Sequence, residues 1–297
     1  MAREIVRIDN PYGPLTSGQW LCGNLHTHTN QSDGQRHPQS AIDDYARRGY
    51  DFLMISDHDV YTSEDACREF DARGMVLIPG NEITAGGPHL LHVNPDRLLK
   101  AHPQRQRILT EAQRSTGFLI VCHPNFQTTF DHCTIEQMIE WDGYAGLEIY
   151  NAVIGRLEGS PYALDKWDIL LSKGRRLWGF ANDDCHREQG DVGLGWNVVY
   201  APDRTLKSIV GAMAMGRFYA STGVVITDIR VEDTRIRVET RNAHRIVALQ
   251  QWARRFAVAD EGALEVSVPA DATYVRFECY GSGETLACTQ PIFIVRE

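Results

Sequence analysis

Histidines and carboxylates gather in this sequence at a few short motifs. In chain order they are His26 and His28 in NLHTHT, Asp33 in QSDG, His58 in ISDHD, Glu82 in PGNEIT, His92 in LLHVN, His123 in VCHPN, and Asp184 with His186 in NDDCH. Imidazole and carboxylate are the donors that bind ions of the Zn, Mn or Fe type, and the absence of thiolates from the set disfavours a purely structural zinc site. Residues i and i+2 of a strand project to the same side, so His26 with His28, and Asp184 with His186, can each offer two ligands to one cavity. Six imidazoles and three carboxylates exceed the needs of one ion. Shared out at about four to five protein contacts per ion, with Glu82 or Asp184 bridging, they suit two to three divalent ions. A single strand-end histidine reads best as a partner of loop backbone; nine such residues in succession point to a cluster. His89 and His92 are three apart in HLLHVN and so lie on opposite faces of a strand; the strand-end position of HVN favours His92. His37, His89, His102, His132 and His244 lack such a partner set and read as solvated or structural.

Something must bring these motifs together. From about residue 20 to residue 224 β-rich runs (LCGNLH, DFLMIS, MVLIPG, HLLHVN, GFLIVC, AGLEIY, RRLWGF, WNVVYA) alternate with amphipathic segments such as PQSAIDDYARRGY and SPYALDKWDILLSKG. Eight such runs suit a β/α barrel, whose strand C-termini open on one rim where distant residues converge. After FYASTGVVIT the pattern becomes short alternating strands (DIRVE, TRIRVET, ALEVSV, TYVRFECYG, PIFIV) broken by turn residues. The expected organisation is therefore a barrel over 1–223 and a small all-β, sandwich-like domain over 224–297.

Composition narrows the partners. The 297 residues are 43% hydrophobic and 23% charged, as in a soluble globular protein. No apolar run approaches a membrane span or a secretory signal, so a cytoplasmic location is expected. The seven cysteines form no CxxC pair and read as reduced thiols; Cys122 and Cys185, beside ligands, are expected to point away from them into the core. A net charge of −9, without a run of Lys and Arg interleaved with aromatics, argues against polymeric nucleic acid. Metal ions could still draw in a small anion.

HTHxxxSDG, SDHD, PGNEIT, a His on the following strand, CHP and DxH, taken in order over most of residues 20 to 190, resemble the PHP (polymerase and histidinol phosphatase) family. The resemblance implies a distorted seven-stranded β/α barrel with a trinuclear metal site and, most often, phosphate-ester hydrolysis. It implies His26, His28, Glu82 and Asp184 around one metal, Glu82, His92 and His123 around a second, and Asp33, His58 and His186 around a third. GLEIYN, WDILLSKGRRLWGFANDD and GRFYASTG extend the likeness towards the branch that includes carbaryl hydrolase, where carbamates and esters are also cleaved.

The expected activity is hydrolysis of a small phosphate mono- or diester by a metal-bridging hydroxide, with carbamate or ester hydrolysis by the same cluster as the alternative. No GxSxG elbow supplies a rival nucleophile. Three divalent ions against Asp33, Glu82, Asp184 and one hydroxide leave a site of about +2, which a phosphate dianion matches better than a neutral carbamate. Arg187 and Arg156 are candidates to grip phosphoryl oxygens, and Asp59 to protonate a leaving group or steady His58. Asp57 and Asp183 are expected to support ligands from behind, and Glu148 and Asn151 to line or solvate the rim.

Overall fold

A computed structural model describes residues 6–13 and 17–296. The elements in chain order are β1 (Val6–Asp9), β2 (Gln19–Asn24), α1 (Pro38–Arg47), β3 (Phe52–Met54), α2 (Glu64–Glu69), β4 (Val76–Ile78), β5 (Gly80–Ile83), β6 (Leu90–Val93), α3 (Arg105–Ala112) and β7 (Phe118–Val121). Then come α4 (Ile135–Glu140), β8 (Gly146–Asn151), α5 (Leu164–Ser172), β9 (Trp178–Asn182), β10 (Trp196–Ala201), α6 (Leu206–Ala214) and β11 (Phe218–Ser221). Eight strands close the chain: β12 (Ile226–Glu232), β13 (Arg235–Thr240), β14 (Arg245–Gln250), β15 (Arg254–Ala259), β16 (Ala263–Ser267), β17 (Tyr274–Tyr280), β18 (Leu286–Thr289) and β19 (Ile292–Arg296). The fold is thus mixed α/β. Among the described residues no helix is long and apolar enough to cross a membrane.

The local sequence accounts for the helices. Pro38 opens α1, where its missing N–H costs nothing, and Ala41, Ile42 and Tyr45 form its buried stripe. Ser63 caps α2, and Thr134 with Gln137 forms a reciprocal capping box on α4.

Strand direction matters most for the site. β2, β3 and β4 run parallel, as do β7, β8 and β9. β5 and β6 form an antiparallel hairpin, and β6 is antiparallel to β7. The βαβ alternation expected from the sequence is therefore interrupted here: six residues between the strands are too few for a helical crossover. The sheet containing β2 to β4 and the sheet β5-β6-β7-β8-β9 come together through isolated bridges, Thr27 to Cys185 and His58 to Glu82, which lie among the clustered residues.

The C-terminal strands do not stand apart in hydrogen bonding. The larger sheet runs β1-β19-β17-β18-β11-β10-β2-β3-β4, so β18 continues directly from β11 across residue 223. Only β12, β13 and β16 make a separate three-stranded sheet. Tyr12, Val198 and Tyr219 share one apolar cluster with Ile246, Val275 and Phe277.

One turn admits only glycine. Gly117, ahead of β7, has φ +79°, and a Cβ there would sit 1.9 Å from the Val93 carbonyl oxygen. Left-handed backbone alone costs a side-chain-bearing residue roughly 1–2 kcal/mol. Gly117→Ala is expected to lower stability by at least that much in denaturant unfolding; an unchanged midpoint would show that the turn relaxes freely.

Candidate metal centre

Four strands deliver the clustered side chains from their C-terminal ends: His26 and His28 follow β2, His58 follows β3, His123 follows β7, and Asp184 and His186 follow β9. Glu82 lies within β5 and is fully buried. The carriers are fixed from behind. Asp57 accepts from Thr29 N–H (2.8 Å), Thr29 Oγ1 (2.6 Å) and Ser32 Oγ (2.5 Å), holding the loop between His28 and Asp33. Asp183 accepts from the N–H groups of Gly193, Leu194 and Gly195 and from the Tyr45 hydroxyl. Both aspartates thus hold the backbone beside the cluster and, among the described residues, do not themselves bond its imidazoles.

The convergence is tight. His26 Nε2 lies 3.4 Å from Glu82 Oε2 and 3.3 Å from Asp184 Oδ1, and His28 Nε2 lies 3.4 Å and 3.1 Å from the same two oxygens. All four atoms are buried without a hydrogen-bond partner. Two imidazole nitrogens thus each lie 3.1–3.4 Å from the same two carboxylate oxygens, close enough for an ion of the zinc type to reach both kinds of ligand. Orphaned buried donors so arranged fit a divalent ion. Glu82 Oε1 faces His89 Nδ1 at 2.9 Å and His123 Nε2 at 3.4 Å, a second grouping. A third forms around Asp33 Oδ1, with His58 Nε2 at 3.5 Å, His186 Nε2 at 3.4 Å and His28 Nδ1 at 3.9 Å.

Electrostatics favour ionised carboxylates here. Burial alone would raise the Glu82 and Asp184 carboxyls, but the surrounding imidazoles of His26, His123 and their neighbours outweigh it and hold both well below the usual range. His186 and His58 lower Asp33 in the same way. Burial opposes a proton on His26, yet Asp184, Glu148 and Glu82 reverse the balance and raise it well above the ordinary imidazole value. His58, also opposed by burial, is raised to about 10 by Asp33 and Glu82. Divalent ions entering this site would displace those protons.

His89, not His92, joins the cluster. Because β6 runs antiparallel to β5, its N-terminal end reaches the rim, so the residue before the strand faces Glu82. His92 lies on the other side, fully buried opposite Asn81, both its ring nitrogens unpartnered; burial lowers its pKa to about 4. The expected ligand is corrected accordingly. His89→Ala is expected to lower the metal content of reconstituted protein, while His92→Ala leaves it unchanged. Elemental analysis of both decides, and metal loss only in His92→Ala would reverse the assignment.

The other candidates fare variously. Asp59 is committed to a loop: its carboxylate accepts from Thr84 N–H (3.1 Å), Thr84 Oγ1 (2.9 Å) and Ala85 N–H (3.0 Å). Arg156 is held by Asp191 in a two-pronged ion pair (3.1 and 2.7 Å), which removes it as a ready phosphate donor. Arg187 is exposed beside His186; its backbone N–H donates to Asp191 and its carbonyl accepts from Cys185 Sγ, while its guanidinium has no hydrogen-bond partner among the described residues. Cys185 packs in the core with Ile42 and Tyr45. Cys122 is also in the core, but the expectation that it turns from the ligands fails, since its sulfur lies within 4.8 Å of donor atoms of His26, Glu82 and His123. His123 has φ +26°, which breaks the strand alternation on which that expectation rested.

Sequence reasoning also undervalued buried supports. Glu148 neither solvates nor lines a rim: it is buried, accepts from His26 Nδ1 (2.8 Å), Asn182 Nδ2 (2.9 Å), His123 N–H (2.8 Å) and Asn151 Nδ2 (2.7 Å), and so orients two ligands at once. Asn151 is buried beside it and also reaches Asp184 Oδ2 at 3.1 Å. His132, read as solvated or structural, has Nε2 accepting from the His89 N–H at 3.1 Å, with its ring 4.8 Å from that of His123. Lys166 donates at 2.8 Å to the carbonyls of Pro124, Phe130 and Cys133, tying down the loop that follows His123.

No family model matches the chain. A two-domain protein from Bacteroides vulgatus containing a predicted PHP-like metal-dependent phosphoesterase has the same fold, with a TM-score of 0.59 at 16% identity over 94% of this chain and 95% of that one. The 5'-3' exoribonuclease Rnm of Salmonella typhimurium is 34% identical over 103 residues, 32% of this chain and 35% of its own. The match therefore spans about a third of that curated relative. The fold is thus that of a protein containing a predicted PHP-like phosphoesterase, in agreement with the resemblance carried by HTHxxxSDG and the motifs after it.

Proposed function

We propose that the chain is a metal-dependent hydrolase acting on small phosphate mono- or diesters. The reading is carried by one observation, the buried imidazole nitrogens of His26 and His28 drawn to within 3.1–3.4 Å of the buried carboxylate oxygens of Glu82 and Asp184. Two to three ions of the Zn, Mn or Fe type would be held by those four residues, by Glu82 with His89 and His123, and by Asp33 with His58 and His186. Bound there, they would lower the pKa of water and polarise the ester. Closure of residues 1–223 into a distorted seven-stranded barrel, with 224–297 as a β-rich appendage, belongs to the same reading.

The protein's own groups divide the remaining work. Glu148 accepts from His26 Nδ1, so that on loss of the second ring proton to an entering ion the Nε2 lone pair would be the one free to bind it. With the Asp59 oxygens engaged by Thr84 and Ala85, that residue is not free to protonate a leaving group. Of the two candidate arginines, Arg187 has its guanidinium unengaged by a carboxylate among the described residues, and it is the one left to meet phosphoryl oxygens in this reading. An excess of metal charge over the clustered carboxylates favours an anionic substrate. The net charge of −9 disfavours a long polyanion such as polymeric nucleic acid.

Metal analysis coupled to a substrate panel tests the proposal: phosphomonoesters, cyclic and linear diesters, short 5'-phosphorylated RNA, and aryl carbamates, each with added Mn or Zn. Chelator-sensitive turnover of a small phosphate ester is expected. Turnover confined to the carbamates would move the assignment to carbamate hydrolysis by the same cluster. Absence of metal uptake would sink it altogether.

A further inference from the structure

Residues 84–88, between the end of β5 and His89, hold no metal-type donor, yet they are gripped on both sides. Asp59 takes their N–H groups through Thr84 and Ala85, as described above. Arg105 takes their carbonyls, donating to Thr84 (2.8 Å), Ala85 (3.1 Å), Gly87 (2.8 Å) and Pro88 (2.6 Å), with a fifth bond to His102 (2.7 Å). This guanidinium is 1% exposed and, among the described residues, has no carboxylate ion pair. Burying an unpaired cation costs several kcal/mol unless its donors are fully used, and here the loop carbonyls use them. A hairpin of this length closes without any such group.

What the loop joins explains the expense. At one end stands Glu82 and at the other His89, whose Nδ1 meets Glu82 Oε1 at 2.9 Å. Asp59 follows His58 directly, and His58 Nδ1 lies 2.7 Å from Glu82 Oε2. Asp59 itself has φ +52°, an uncommon conformation for a non-glycine residue, maintained while both its oxygens hold the loop. We propose that Asp59 and Arg105 are positioning residues, a two-sided clamp on residues 84–88 that sets the affinity of the Glu82–His89–His123 position for its divalent ion. The inference rests on the metal-dependent reading of the site.

Arg175 provides the control. It too donates to backbone carbonyls, of Met138, Ile139 and Trp141, but ahead of β8, at the end of that strand away from the cluster. The experiment is zinc titration of chelator-stripped, full-length protein, with bound metal counted by elemental analysis and thermal unfolding of the metal-free form recorded. Wild type, Arg105→Lys, Asp59→Asn and Arg175→Lys are compared. Arg105→Lys and Asp59→Asn should bind one equivalent fewer than wild type, or hold the last equivalent about 10- to 100-fold more weakly. Arg175→Lys should lose thermal stability yet load like wild type. Wild-type loading in both clamp variants, or equal metal loss in Arg175→Lys, overturns the clamp. Wild type that takes up no zinc overturns the metal reading and the clamp together, whereas failure of the clamp with loaded wild type leaves that reading standing. Should Arg105→Lys not fold, Asp59→Asn, at a half-buried position, decides alone.

Discussion

Glutamine in place of Glu82 should give a folded protein that holds little metal and turns substrate over at background rate. Glu82 Oε2 faces His26, His28 and His58, and Oε1 faces His89 and His123. One carboxylate would therefore serve two neighbouring ion positions with separate oxygens. The amide of glutamine keeps the volume but offers a single neutral acceptor, and its NH2 group would point donor hydrogens at a cation or at an imidazole. Metal activation is worth several kcal/mol, so its loss corresponds to on the order of 10³-fold in turnover or more. Arg187→Ala, by contrast, should leave the ions bound and cost on the order of 10- to 100-fold. Metal content and turnover measured on the same preparations separate the two. Full occupancy with near-normal turnover in Glu82→Gln would mean that the cluster is organised around Asp184 instead.

The largest effect on stability is expected away from the cluster, at Arg276. Its side chain is fully buried between Asp168 of α5 (2.5 and 3.0 Å) and Glu278 of β17 (2.9 Å), with the guanidinium 5.0 Å from the Trp167 ring centroid. Tyr274 adds a further bond to Asp168 at 2.9 Å. Methionine at 276 preserves much of the volume but strands two carboxylates in the interior, and breaking a buried pair from one side typically costs about 3–5 kcal/mol. Arg276→Met should therefore shift the denaturant midpoint far more than any exposed arginine substitution. Adding Asp168→Leu and Glu278→Leu should recover much of the loss, because no buried charge then lacks a partner. If the single variant unfolds like wild type, the network contributes specificity without stability.

The spread of expectations that held and failed has a physical pattern. His26, His28, His58, Glu82, His123, Asp184 and His186 were legible because each lies at a strand C-terminus or within a motif whose spacing puts it on one face. His89 was misread because periodicity reports which residues share a face, not which way the strand runs. The signal was present in TAGGP: five residues rich in turn formers ahead of His89 demand a hairpin, and a hairpin reverses the rim. Cys122 was misplaced because alternation presumes regular backbone, and the left-handed φ of His123 violates it. Glu148, Arg105 and Lys166 were undervalued because a charged residue in a sequence carries no mark of burial. Their roles depend on partners tens of residues distant, as in the bond from Lys166 to Pro124.

The continuity of the sheet across Gly223 has a practical side. β11 is flanked by β10 and β18, and β18 in turn by β17. A fragment severed at Gly223 would turn β11 into a bare edge of unsatisfied N–H and C=O groups, a template for pairing with other molecules. It would also expose the faces of Tyr12, Val198 and Tyr219 that now pack on the C-terminal strands. Such a fragment would tend to precipitate whether or not its ligands were intact, so the boundary that is visible in the sequence pattern is a poor place to cut the polypeptide.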